Sequence, residues 1–473
     1  MSTSPAYTPD PEILGLGDRF YDEVTAAEFP TSKLRFANHR WAARIGLGGY
    51  VKKQWEAHFA RFEPLPDNLP SPLALRYHGH QFRHYNPDLG DGRGFLFAQL
   101  RDGDGRLLDL GTKGSGQTPW SRQGDGRLTL KGGYREVLAT EMLEALGVHT
   151  SKSFALFETG EELWRSDEPS PARSAVLTRL SHGHIRIGTF QRFAFEGDTD
   201  AVNALVSYCL EHLYRVEPSG NAAKDAATLF DLVGIATARL AAAYMTAGFV
   251  HGVLNSDNIA ITGESFDYGP WRFTPYWNDG FTAAYFDGEG LYSFGRQPEA
   301  IQWDLAQLGG VLGLVTGHEH LNRVLADWPD MFGRALTDAI LWRLGILPTD
   351  EEADGLLART VVAALATETV KIDRFFFDWR GGRVPDGDRY TVREFEPLAD
   401  LLDGRANAAA RDHPYWSDEA PCSMHIDEVE ARWTAIAERD DWQPFETKIV
   451  EIRRMGEAMR AGMPPPPVLT RAP

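Results

Sequence analysis

The chain has 473 residues, with 67 acidic side chains against 48 basic ones, a formal net charge of −19. That excess argues against non-specific binding to nucleic acid or to anionic membrane, where phosphate contact calls for clustered Lys and Arg, while leaving room for a local basic pocket around a nucleotide. Two cysteines, Cys209 and Cys422, far apart and outside any Cys-x-x-Cys, exclude a disulfide framework and a thiolate zinc site.

In chain order, the opening MSTSPAYTPDPEILGLGD has no basic stretch followed by an apolar one, so no secretory signal is read. Helices are expected in the first 63 residues, one of them over 42–62, and the Pro-rich stretch from Pro64 to Pro72 marks a boundary. Beyond it, Phe95-Leu96-Phe97 and Leu107 to Leu110 flank Asp102-Gly103-Asp104-Gly105, a hairpin signal. A helix is predicted over 134–146 with Gly147 as its stop, then a strand over 153–157 and an exposed loop over 167–173. The apolar segment 236–250 reads as a helix, broken by His251-Gly252; Arg239 interrupts it, so no transmembrane span is read and the expected compartment is the cytoplasm. The tail, Pro464 to Pro467 and onward, cannot be helical and is expected to be loose. The expected divisions are an N-terminal extension (1–72), a β-rich small lobe (73–175), a helical large lobe (176–325) and a C-terminal helical region (326–473).

Chemistry concentrates in HGVLNSDNIAITGESFDYGP, residues 251–270. Ile259-Ala260-Ile261 is read as a buried strand, turned back at Thr262 to Ser265 to deliver Asp267 beside Asn258. One amide oxygen with carboxylates suits a hard cation such as Mg²⁺; the competing reading is that Asn, Asp and Gly are simply turn formers. The layout resembles the catalytic loop and metal-binding Asp of protein kinases and aminoglycoside phosphotransferases. There the base is an Asp two residues after the His, and here that position is Val253, which accepts no proton.

Three constellations upstream bear on phosphate. Gly90-Asp91-Gly92-Arg93-Gly94 precedes a strand, and glycines let backbone N–H groups approach an anion closely. Lys113 ends the alternating strand from Leu108, and Glu136 is placed in the first turn of the following helix, where kinases keep the partner of their phosphate-binding Lys. Between them, Arg122-Gln123-Gly124-Asp125-Gly126-Arg127 forms a second Gly-rich basic loop.

Taken together, LGDGRG, TKGSGQTPWSRQGDGRL, REVLATEML, AVLTRLSHGHIRIGTF, HGVLNSDNIAI and FDYGPW are very similar to the selenoprotein O family, from about His78 to Leu312. The resemblance implies an α+β, protein-kinase-like two-lobed fold and a protein adenylyltransferase. Such an enzyme transfers AMP from ATP to Ser, Thr or Tyr hydroxyls of proteins, the chain itself among the candidates, and releases pyrophosphate. Carried over by motif, Gly90, Gly92 and Arg93 contact the nucleotide; Lys113 holds phosphates and pairs with Glu136; Asp125, Gly126, Arg179 and Arg186 complete the nucleotide site. Asp257 is the proton acceptor, and Asn258 and Asp267 hold Mg²⁺ or Mn²⁺, Asp267 through them contacting ATP. Two departures stand out: the chain ends VLTRAP without the family's terminal Cys or selenocysteine, and DDWQPFETKIVEIRRMGEAM lacks its Asn-Pro…Arg-Asn motif. Activity is therefore expected to be insensitive to thiol reductants.

Three other classes compete. Val253 counts against a γ-phosphate kinase, and the retention of Lys113, Glu136, Asp257, Asn258 and Asp267 counts against an inactive nucleotide-binding pseudokinase scaffold. His78, His80 and His84 suggest a metalloenzyme by spacing, but no His-Glu-x-x-His or second ligand cluster accompanies them.

Overall fold

The computed structural model describes residues 5–385 and 388–466. Its strands are β1 (Thr8–Pro9), β2 (Tyr21–Glu23), β3 (Lys33–Ala37), β4 (Leu73–Leu75), β5 (Gly79–Gln81), β6 (His84–Asn86), β7 (Leu96–Arg101), β8 (Leu107–Lys113), β9 (Leu128–Thr129), β10 (Lys152–Leu163), β11 (Ala172–Ser181), β12 (Phe249–Val250) and β13 (Arg272–Phe273). Nine form one antiparallel sheet ordered β2-β4-β7-β8-β11-β10-β3, with β1 added on β7 and β9 on β11. The β7–β8 hairpin turns where the DGDG sequence demands it: the Asp102 carboxylate accepts from the backbone N–H groups of Asp104 and Arg106, at 2.9 and 3.0 Å. The N-terminal segment is not only helical. Its strands enter the same sheet, β2 on β4 and β3 on β10.

The expected helix over 42–62 is two, α1 (His39–Arg44) and α2 (Lys52–Phe59), because Gly46, Gly48 and Gly49 interrupt it. Helix α3 (Leu130–Ala145) starts four residues before the expected boundary, where the Thr129 hydroxyl accepts from Gly132 N–H at 3.1 Å. Glu136 thus lies in the second turn, not the first. Val137, Leu138 and Leu143 are buried, and Gly147 (φ 83°) follows the helix end. Strand β10 runs well beyond the expected 153–157, and the loop expected over 167–173 ends at Pro171.

The helical part continues with α4 (Ile187–Phe195), α5 (Thr199–Tyr208), α6 (Ala222–Ala247), α7 (Gln297–Thr316), α8 (Glu319–Leu344), α9 (Glu351–Leu365), α10 (Ile372–Asp378), α11 (Glu396–Leu401), α12 (Ile426–Arg439) and α13 (Gln443–Arg460). Helix α6 begins earlier than expected and stops at Gly248 (φ 64°), four residues before Gly252. A left-handed glycine ends a helix however apolar the next residues are, and Phe249–Val250 becomes β12 instead. Contrary to the sequence reading, α6 is long and apolar enough to cross a membrane by length and composition. Its apolar face is consumed by α7 and α8: Leu229, Phe230 and Val233 are fully buried, each contributing roughly 1.5–3 kcal/mol.

The C-terminal helices dock on α3. Arg453 donates from Nε and Nη2 to the Glu141 carboxylate, both at 2.8 Å, and Tyr134 Oη donates to Val429 O at 2.9 Å. Fully buried Arg380 donates to the carbonyls of Trp342, Arg343, Ala410 and Met459, tying α8 to α13. The tail is not loose at its start, since Pro464 O accepts from Trp342 Nε1 at 3.2 Å. Pro467 and the closing VLTRAP lie outside the described residues.

Candidate active site

The expected hairpin between residues 259 and 267 does not form. Ser256–Asn258 makes a single 3₁₀ turn, and the flanking backbone pairs with other segments. Ile187 N–H bonds Ile259 O and Ile261 N–H bonds Ile185 O, both at 3.0 Å; Ser265 N–H bonds His149 O at 2.8 Å. Main-chain groups here are satisfied across the fold, which is what a buried loop needs. His251 steadies the far end, its Nε2 at 3.0 Å from Phe266 O.

Asp267 comes next in left-handed backbone (φ 60°), uncommon for a non-glycine residue. Its Oδ1 meets Lys113 Nζ at 2.7 Å and Arg179 Nη1 at 3.4 Å. Both cations come from the sheet. Arg179 on β11 stands opposite Gly111, two residues from Lys113 on β8, so the two side chains share one face. Lys113 also forms a buried ion pair with Glu136 of α3. Burial pushes the Asp267 carboxyl up, but Lys113, Arg179 and Arg93 outweigh it and hold the group well below the usual carboxylate range.

Asp257 and Asn258 lie at the 3₁₀ turn. Asn258 Nδ2 donates to Val253 O at 2.9 Å, leaving its Oδ1 buried without a partner; Asp257 Oδ1 is buried and unpartnered as well. Arg186 donates from Nη1 to Asp257 O at 3.0 Å and from Nη2 to Asp91 Oδ1 at 3.4 Å, between the rings of Tyr77 (4.1 Å) and Phe266 (4.9 Å). Burial raises the Asp257 carboxyl to about 7, with Arg186 opposing and Asp267 adding to the rise. The orphaned amide oxygen of Asn258, with the Asp267 carboxylate lining the same cleft, is a donor set that fits a hard divalent cation completed by substrate phosphates.

The cleft these residues line has a volume of about 720 Å³. Gly90, Gly92, Arg93, Lys113, Asp125, Gly126, Arg179, Arg186, Asp257, Asn258 and Asp267 all border it. Glu136 does not line it and acts only through Lys113. Gly90 packs on Trp120, and Gly126 (φ 69°) lies so close to Gly116 that a β-carbon would sit 2.2 Å from the Gly116 carbonyl. Asp125 is already engaged, accepting from both Arg165 guanidinium ends at 2.8 and 3.1 Å. In a chain of net charge −19, the cleft gathers seven Arg and Lys side chains against four carboxylates. That is the local reversal a polyphosphate requires.

Comparison with known proteins points the same way. The model of the family described as "Protein adenylyltransferase SelO" matches residues 5–391. The protein nucleotidyltransferase YdiU of Synechocystis sp. is 40% identical over 477 residues, covering 94% of this chain and 98% of that one. The protein of the same name from Gloeobacter violaceus is 42% identical over 470 residues, covering 94% and 95%. The chain belongs to the SelO family. The match begins far upstream of His78 and ends beyond Leu312, so it takes in the N-terminal strands that join the sheet.

Sequence reasoning missed several residues of this SelO-family cleft. Asp91 sits inside the quoted GDGRG motif yet its role is to hold Arg186 and to accept from Leu75 N–H at 3.0 Å. Trp120 lies in the quoted TKGSGQTPWSRQGDGRL stretch without being assigned a role, and Arg165 and Tyr77 carried no local signal, since their partners Asp125 and Arg186 are distant in the chain. Of the three histidines whose spacing suggests a metalloenzyme, His78 Nδ1 lies 2.8 Å from Tyr85 Oη and His80 Nδ1 2.7 Å from Gln191 Nε2, while His84 is exposed.

Proposed function

We propose that this chain is a protein adenylyltransferase that moves AMP from ATP onto Ser, Thr or Tyr hydroxyls and releases pyrophosphate. SelO-family membership supports it, and one observation of the site carries it: Asp257 is the carboxylate of the cleft with an unpartnered buried oxygen, whereas Val253 occupies the position of a kinase base. Lys113, Arg179 and Arg186 bind the phosphates and stabilise charge growing on the departing pyrophosphate. The two Gly-rich loops, through Gly90, Gly92 and Arg93 and through Asp125 and Gly126, enclose the nucleotide. Asp257 takes the proton from the acceptor hydroxyl. Asn258 and Asp267 would hold Mg²⁺ or Mn²⁺, which neutralises phosphate charge when bound. We read the sheet, which takes in the N-terminal strands β1 to β3 and runs through β11 to Ser181, as the small lobe of a kinase-like fold and the helical part after it as the large lobe, and we assign the protein to the cytoplasm.

The test is ATP labelled at the α- or the γ-phosphate, incubated with Mg²⁺, the enzyme and a generic protein acceptor such as casein. α-Label on protein with free pyrophosphate is expected. γ-Label on protein would identify a kinase, and no label on any protein would return the chain to a binding scaffold.

A further inference from the structure

We propose that Tyr285 is a nucleotidylation site, its phenolic hydroxyl serving as acceptor for a second copy of this chain. The inference rests on the adenylyltransferase reading and names one substrate of that site.

Of the fifteen tyrosines, all within the described residues, Tyr285 alone is exposed, at 84%. Its ring lies beside that of exposed Phe286 (50%), with centroids 5.1 Å apart. Its backbone is built to present it. Asp287 N–H bonds Ala284 O at 3.2 Å, closing a turn with Tyr285 and Phe286 at its two corners. The Asp287 carboxylate then accepts from Leu291 and Tyr292 N–H, both at 2.8 Å, fixing the far side of the loop.

This loop is fastened to the one that carries Asp257. A β-carbon on Gly252 would lie 3.1 Å from Ala283 Cβ and 3.5 Å from Ala284 N, so the segments are in direct contact. Tyr292 Oη donates to Asn255 Oδ1 at 2.8 Å, and Phe82, whose N–H also bonds Asn255 Oδ1, packs on Phe286 at 5.9 Å. Tyr285 is thus carried on a segment packed against the catalytic loop and does not itself line the cleft, so the cleft we infer to receive it is that of another molecule. Charge favours that encounter: exposed Asp279 and Glu289 flank the turn, and the receiving cleft is rich in arginine.

The step balances. Tyr285 Oη forms a bond to the α-phosphorus, the bond from that phosphorus to the β-phosphate oxygen breaks, and pyrophosphate leaves with the electron pair. The phenolic proton passes to Asp257 of the modifying copy, and the product is a tyrosyl AMP phosphodiester.

The experiment mixes wild-type enzyme with a tagged Asp257→Ala chain, α-labelled ATP, Mg²⁺ and casein, with peptide mass mapping of the products. Label is expected on Tyr285 of the tagged chain, falling at least ten-fold when that chain also carries Tyr285→Phe. Wild-type-level labelling of casein by a Tyr285→Phe enzyme is expected alongside. Casein labelled with no label on the tagged chain overturns the inference and leaves the adenylyltransferase reading standing. Label mapped to another hydroxyl, or undiminished by Tyr285→Phe, overturns it equally. Label on neither protein removes both.

Discussion

Replacing Lys113 by Met and Glu136 by Gln, singly and together, separates the structural from the functional work of the buried pair. Lys113 is 4% exposed and Glu136 1%; the second Glu136 oxygen has no partner of its own. Lys113→Met leaves Glu136 an uncompensated buried charge, which typically costs about 3–5 kcal/mol, whereas in Glu136→Gln Lys113 keeps Asp267 at 2.7 Å and the loss is smaller. Removing both leaves two neutral groups of similar size, usually near neutral in stability. Asp267 would then keep Arg179 alone, so the double variant is expected to lie about 1–2 kcal/mol below wild type, well above the sum of the singles. Urea denaturation monitored by tryptophan fluorescence measures this. Transfer of α-label should behave differently: kcat/KM falls on the order of 10²–10³-fold in both Lys113→Met variants, whatever their stability, because the ammonium we assign to the phosphates is gone. If activity returns in the double variant together with stability, Lys113 is only a structural cation and its assignment to the phosphates is wrong.

Asp257→Ala should abolish AMP transfer yet leave a folded protein that binds MgATP, while Asp267→Ala should impair both; calorimetric binding together with the α-label assay distinguishes them, and equal loss of binding in the two variants refutes the division of roles. Glu264, 4% exposed, is pushed up to about 7 by burial, against the pull of Lys152 and the His182 N–H. The folded state therefore holds a proton that the unfolded chain releases above its ordinary value of 4.5, so this group's contribution is full below that value and is lost as pH rises to about 7. That is about 3 kcal/mol, and Glu264→Gln should gain on wild type by this amount between pH 4.5 and 7; parallel urea profiles would contradict it. Arg453→Met strips the bidentate pair from Glu141, leaving Asn38 Nδ2 at 3.2 Å and Arg40 at 3.8 Å, and should cost roughly 1.5–3 kcal/mol. Because Glu141 and Glu136 share α3, the same variant should bind nucleotide more weakly; unchanged affinity would mean that α12 and α13 do not support the site.

Much of the cleft was legible in the sequence because its chemistry is local. Lys113 at a strand end, the two glycine-rich loops, and Asn258 and Asp267 within ten residues each declare themselves by residue type and spacing. The β7–β8 turn did so as well, since Asp102 satisfies the backbone two and four residues on. Helix and loop boundaries were less legible. Phe249 and Val250 continue the apolar pattern of α6 past the glycine that ends it, so periodicity overran the stop.

What only the tertiary structure decided are contacts without a period. Arg186 reaches the Asp257 carbonyl across 71 residues and Arg165 reaches Asp125 across 40. Arg453 braces α3 across 312 residues. The backbone around Ile259 and Ile261 illustrates the cause: its sequence suits a strand, and it chose the segment around Ile185 over its own return. Hydrogen-bonding capacity is written into each residue, but the partner that satisfies it is set by which segments packing brings alongside, and no local pattern encodes that.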